Sequence, residues 1–306
     1  MAINEQKELY GMDEERVPIE FSSEPTKVLD KGLVSLAEVM PSMAPKGRTV
    51  EYVIVRSARI SYGQELGTDL KRDKELIKYL YRNLHTSVFE GISFTFFLRI
   101  PNHIATHLIR HRTAKLNVLS QRYTDMSEAG YYNPRDFVEA MRAKPPPGKS
   151  KQGSTLEMND AKRRKLDELV EKSEAVVEQV FSLYREMIEA GVAKECARSI
   201  LPQGTYVDMY YTMDLNNLLK FFNLRMDENA QYETRVYARA MYDLVKPLIP
   251  TVAEVFEDYT LNGVSVSGTQ ARILRHDLDF EEGKTQMSKG EIAEFNQKRL
   301  LITLQI

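Results

Sequence analysis

The chain predicts an α+β fold. Three observations carry that expectation. One stretch alternates strictly between apolar and polar residues, several longer stretches space their apolar residues as helices do, and no regular strand–helix alternation of the kind that builds a parallel sheet is visible. At 306 residues there is enough chain for one large domain or two small ones.

Residues 1–26 have little apolar periodicity and read as a flexible N-terminal arm. EYVIVRSARISY (51–62) is rich in β-branched and aromatic residues. It predicts a strand at its start, with a later part equally able to begin a helix. Asp73 precedes Leu76, Ile77, Leu80, Tyr81 and Leu84, which is helical spacing behind a candidate N-cap. GISFTFFLRI (91–100) is the clearest strand, because Ile92, Phe94, Phe96, Leu98 and Ile100 fall on one face. Pro101 ends it, and Asn102 can cap a helix through about Arg112.

KPPPGKS (144–150) begins an exposed loop, taken as 144–155. A long amphipathic helix follows, with a stripe from Leu166 through Val177, Phe181 and Tyr184 to Ile188, closed by Gly191. A helical turn carries Cys196 and Arg198. Asp214 can cap a helix whose Leu215, Leu218, Leu219 and Phe222 face inward, and further helices are expected near 228–247 and 251–260. The expected organisation is the arm 1–26, a single domain 27–275 and a helical extension 276–306.

Net charge is −2, so nothing pulls the whole molecule toward nucleic acid or an anionic membrane. Cys196 is the only cysteine, which fits a reducing compartment. The first sixteen residues are polar, and no apolar run approaches the ~20 residues of a membrane span. The expectation is a soluble, cytoplasmic protein.

The chemistry concentrates in RHRTAKLNVLSQRY (110–123). Guanidinium forks bind phosphate bidentately and keep their charge, so Arg110, Arg112 and Arg122 with Ser120 suit an oxyanion; a solvated basic surface is the plainer alternative. His103, His107 and His111 recur every four residues and would share one helix face. A metal site there is disfavoured by the flanking arginines, and neutral histidines often simply pack or hydrogen-bond. Ser120 lacks a nucleophile elbow, so hydrogen bonding to phosphate suits it better. HTSVFE (85–90) is weak alone. No dinucleotide or phosphate-loop glycine motif is present. Arg198 and Arg225 each lie among apolar residues, so each is either an anion contact or half of a structural ion pair.

Taken together, these segments resemble the flavin-dependent thymidylate synthases. That family's hallmark is Arg-His-Arg, seven residues, then Ser, matched by Arg110, His111, Arg112 and Ser120. ARISY (58–62), HTSVFE, ARSILP (197–202), MDLNNLLKFFNLR, AQYE, FEDY and SKGEIAEF also resemble its segments, in order. The resemblance implies an antiparallel sheet packed with several helices and a homotetramer binding FAD across subunits. It implies methylation of the uracil C5 of dUMP to dTMP, with 5,10-methylenetetrahydrofolate as carbon donor and NADPH as reductant. FAD would carry the redox step, so no cysteine nucleophile is needed.

By position, the resemblance implies a flavin set of Ser61, His85, Ser87, Arg110, His111, Arg112, Asp214, Asn216 and Lys220. Ser61 and Ser87 would come from another subunit, and Tyr123 would lie near the flavin and folate rings. The nucleotide set is His107, Arg110, Val118, Ser120, Gln121, Arg122, Arg198 and Arg225, with Arg225 catalytic against N3 and O2 of the uracil. No metal is implied. Val118 departs from the family's usual Glu or Gln beside the sugar, His107 from Gln, Val88 from Pro, and Asn216 and Lys220 from other polar residues. Val118 leaves room for a 2′-hydroxyl, which makes UMP an alternative substrate. A metal-dependent hydrolase and a non-catalytic phosphate-binding module are the remaining readings.

Overall fold

In the computed structural model the described residues are 15–63, 69–133 and 159–303. The expected loop at 144–155 and the first part of the expected arm lie outside them. Among the described residues the strands are β1 (Arg16–Pro18), β2 (Thr26–Val28), β3 (Gly32–Met40), β4 (Met43–Pro45), β5 (Ser93–Pro101), β6 (Lys115–Val118) and β7 (Tyr206–Asp214). Five form one antiparallel sheet in the order β2-β3-β5-β7-β6, and β1 pairs with β4 separately. Within the stretch read as an arm, Arg16–Pro18 is therefore strand, and Ile19 donates to the Ser42 carbonyl at 2.8 Å.

The alternation of 91–100 does what it predicts. Phe94, Phe96, Leu98 and Ile100 are all fully buried, opposite Val34 and Leu36 on β3 and Met209 and Tyr211 on β7. The α+β expectation holds, but β3, β6 and β7 were not foreseen.

The helices are α1 (Tyr52–Ile60), α2 (Leu70–Arg82), α3 (Asn102–Leu108), α4 (Asp160–Glu189), α5 (Lys194–Ala197), α6 (Leu215–Arg225), α7 (Tyr232–Val245), α8 (Pro250–Phe256), α9 (Gly268–Leu274), α10 (Phe280–Lys284) and α11 (Lys289–Thr303). Tyr237, Ala238, Met241 and Val245 of α7 are buried, and the Tyr237 hydroxyl donates to the Arg99 carbonyl at 2.5 Å. Gly32 is required at this seam, because a Cβ there would meet the Tyr237 hydroxyl at 2.1 Å.

Two local expectations are corrected. The segment 51–62 is helical from Tyr52, not a strand. Tyr52, Val53, Ile54, Val55 and Ala58 are all buried, and packing on several sides overrides the β propensity of a β-branched run. The N-cap of α2 is Asp69, whose side chain accepts from Lys71 N and Arg72 N. Asp73 instead turns inward and pairs with Arg48 at 2.6 Å and with Arg59, which ties α2 to α1. α3 is also shorter than expected, ending at Leu108.

Residues to Val252 form one compact unit and those from Ala253 a second. The second unit has its own small core of Ile273, Leu278 and Phe295, with Leu274, Phe280 and Met287 packed against it.

Candidate active site

The Arg110–Arg112 segment is placed by the end of α3. The first free N–H groups of α3 are satisfied by a distant loop, Asn102 N donating to Thr205 O at 2.9 Å and His103 N to Gln203 O at 3.0 Å. Because the helix stops at Leu108, the next residues leave the helical phase. Arg110 and Arg112 are exposed while His111 turns inward. His103 and His107 stand one turn apart on α3, whereas His111 lies beyond its end. His103 faces the Gln203 carbonyl, His107 Nδ1 lies 3.1 Å from Thr234 Oγ1, and His111 meets Phe221 edge-on at 4.9 Å. Among the described residues no group of three or more potential ligands could hold a metal.

His111 also joins two segments that are far apart in sequence. Its Nε2 accepts a hydrogen bond from Arg225 Nε at 2.9 Å, at the end of α6. An acceptor nitrogen requires a lone pair, so this ring is neutral with its proton on Nδ1. Burial, then the charges of Arg225 and His107, lower its pKa from 6.5 to about 4. His107 is lowered by burial and then by Arg225. Burial also pulls Arg225 below its ordinary value, but a guanidinium stays cationic at neutral pH. Tyr211 is packed against Phe221, and its buried hydroxyl has no hydrogen-bond partner among the described residues.

The Ser120 end is a tight turn after the edge strand β6. Tyr123 N and Thr124 N both donate to Ser120 O, and Arg122 N donates to Ser120 Oγ at 3.3 Å. Gln121 and Arg198 line one cavity of about 360 Å³ with Asn102, Glu195, Ser199 and Gln203. Arg122 is exposed and paired with Glu195 at 2.9 Å. Val118 is at the edge, 36 % exposed.

Ser61, His85 and Ser87 meet in a second, larger cavity of about 860 Å³, together with Arg59, Tyr62, Arg72 and Tyr79. Its size and its mixture of aromatic, hydroxyl and cationic groups fit a ligand of the flavin class. Asp214 caps α6 through Asn217 N at 3.0 Å, Asn216 donates to Glu90 at 3.2 Å, and Lys220 is exposed on the same helix. Among the described residues the two cavities have no lining residue in common. The single chain thus presents the implied residues as separate groups: His107 and Arg225 around His111, Gln121 with Arg198, and Ser61 with His85 and Ser87.

Sequence reasoning missed Glu195, Thr234 and Phe221. Glu195 lies one helical turn before Arg198, and that spacing was its only local signal.

A profile of the thymidylate synthase complementing protein family matches residues 46–251, two thirds of the chain. The chain belongs to this family. A flavin-dependent thymidylate synthase of Dictyostelium discoideum is 35 % identical over 277 residues, covering 90 % of this chain and 86 % of that one. One of Treponema denticola is 37 % identical over 274 residues, covering 89 % and 96 %. Among solved structures, the UMP/dUMP methylase PolB of Streptomyces cacaoi, bound with 5-Br dUMP, is 29 % identical. It superposes with a TM-score of 0.62, covering 79 % of this chain and 98 % of that chain. Membership in the family agrees with the resemblance read from the sequence motifs. No helix among the described residues is long and apolar enough to cross a membrane.

Proposed function

We propose that this member of the thymidylate synthase complementing protein family methylates the uracil C5 of dUMP to give dTMP in the cytoplasm. The carbon donor is methylenetetrahydrofolate and the reductant NADPH, with FAD bound between subunits of a homotetramer. The single observation that carries the reading is the Arg225–His111 hydrogen bond. It joins the end of α6 to the Arg-His-Arg segment through the guanidinium Nε and fixes a permanent cation beside that segment.

In this reading Arg225 faces N3 and O2 of the uracil. Negative charge grows on that ring as C5 becomes nucleophilic, and a fixed guanidinium stabilises it more than the ground state. Neutral His111 holds the guanidinium through its Nε side and adds no competing charge. Ser120, Gln121, Arg122 and Arg198 take the phosphate, with Arg110 near the nucleotide and His107 beside it. Arg110, His111 and Arg112 hold the flavin from one side. Ser61, His85 and Ser87 of another subunit, with Asp214, Asn216 and Lys220, hold it from the others, and Tyr123 covers the rings. The separation of the two cavities within one chain supports a site assembled from several subunits. FAD, when bound and reduced by NADPH, supplies the two electrons that take the one-carbon unit from methylene to methyl.

A second reading has UMP as substrate. It is favoured by Val118, which offers the sugar no hydrogen bond, and by the likeness to a methylase described as acting on UMP and dUMP. The test is one reaction containing FAD, NADPH, methylenetetrahydrofolate and equal dUMP and UMP, with product masses read together. Mainly dTMP supports the first reading and mainly 5-methyl-UMP the second. Methylation of neither nucleotide refutes both.

A further inference from the structure

A carboxylate stands inside the cavity assigned above to the nucleotide phosphate. Glu195 lines it beside Gln121 and Arg198. Its Oε2 accepts from Arg122 Nε at 3.1 Å and from Nη2 at 2.9 Å. This is one of the two-nitrogen edges with which a guanidinium grips an oxyanion. The preceding residue, Lys194, donates to the Tyr123 carbonyl at 3.1 Å, so the start of α5 clasps the 120–124 turn at two points. Each side chain of the Arg122–Glu195 pair is 51 % exposed. Burial therefore does not lock the pair, and exchanging one partner for another oxyanion is energetically cheap.

We infer that Glu195 is an affinity-setting residue that competes with the substrate's phosphate for Arg122. The inference rests on the nucleotide reading given above. In the free protein the carboxylate occupies the Nε–Nη2 edge, and a ligand must present enough charge there to displace it. Arg122 and Arg198 together with Glu195 give this corner a net charge of +1. A phosphate monoester carries close to two negative charges above its second pKa, about 6. With Glu195 present, the dianion meets both a charge deficit and a nearby carboxylate. A neutral nucleoside gains nothing from either arginine. The arginines thus favour a dianionic nucleotide, and Glu195 offsets part of that attraction, which keeps the affinity modest enough for product to leave.

Glu195→Gln tests this, since the amide keeps an acceptor oxygen for Arg122 and removes the charge. Calorimetric titration of the full-length protein with dUMP and with deoxyuridine, at about pH 7.5 and about pH 5.5, gives the readout. The variant should bind dUMP roughly three- to tenfold more tightly at the higher pH, an increment typical of removing a nearby like charge in a solvated site. Deoxyuridine affinity should not change, and the dUMP gain should shrink at the lower pH as the phosphate takes up its second proton. Adding Arg122→Gln should abolish the gain, because the two residues act on one interaction. Weaker dUMP binding by Glu195→Gln would make Glu195 a splint for Arg122 and overturn the inference. No change in affinity, or equal tightening for deoxyuridine, would overturn it too. If the unaltered protein binds neither dUMP nor UMP, it is the nucleotide reading that fails, whatever Glu195 does.

Discussion

Lowering the pH should separate His111 from Arg225. The ring accepts the arginine Nε at 2.9 Å only while it is neutral. Its pKa is held down from 6.5 to about 4, first by burial and then by the charges of Arg225 and His107. A base whose folded pKa is depressed contributes stability that is fully present above the unfolded value and is lost as pH falls toward the folded one. The window here runs from about pH 6.5 to about pH 4. At about 1.4 kcal/mol per pH unit the full difference would be ~3.4 kcal/mol. The ring is only partly buried, and solvent screening reduces this to ~1–2 kcal/mol. The assay is urea unfolding across that window for the unaltered protein and for His111→Gln, which can still accept from Arg225 but does not titrate. The variant should lack ~1–2 kcal/mol of the acid-dependent loss. An NMR titration of His111 near 6.5, or identical pH profiles for the two proteins, would refute the reasoning.

Three further outcomes are expected. Asp73→Asn removes a carboxylate that is 5 % exposed and shared by Arg48 and Arg59; unfolding free energy should fall by ~2–4 kcal/mol, and a loss below ~1 kcal/mol would contradict its role in tying α2 to α1. Tyr211→Phe deletes a buried hydroxyl that has no hydrogen-bond partner among the described residues; stability should stay level or rise by up to ~1 kcal/mol, and a clear loss in thermal unfolding would show that the hydroxyl is satisfied in solution. Val118→Glu restores an acceptor beside the proposed sugar position and should shift kcat/KM toward dUMP over UMP by roughly fivefold, the equivalent of one hydrogen bond; an unchanged ratio would remove Val118 from sugar selection.

What was legible in the sequence follows from how each element is buried. β5 is buried on one face and α4 carries one apolar stripe, so both reveal their period. Helix α1 opens on four successive buried residues, Tyr52 to Val55, three of them β-branched, and that run reads as the start of a strand. β7 mixes tyrosine, methionine and aspartate and leaves Tyr210 half exposed, which blurs its alternation. In the site, the Arg-His-Arg and Ser120 segments were visible because their residues lie close together in the chain. Neither the pairing of His111 with Arg225 nor that of Arg122 with Glu195 could be read locally. The first spans 114 positions and the second 73, and both depend on tertiary packing.

In the proposed reaction this chain couples flavin oxidation to methylation of a uracil nucleotide. The most direct measurement is a single turnover. The FAD-loaded protein is reduced without air, and methylenetetrahydrofolate and dUMP are added separately and then together while flavin absorbance and nucleotide mass are followed. The flavin should reoxidise only when both are present, with one methylated nucleotide formed per flavin. Reoxidation without a mass change, or no reoxidation with both dUMP and UMP supplied, would contradict it.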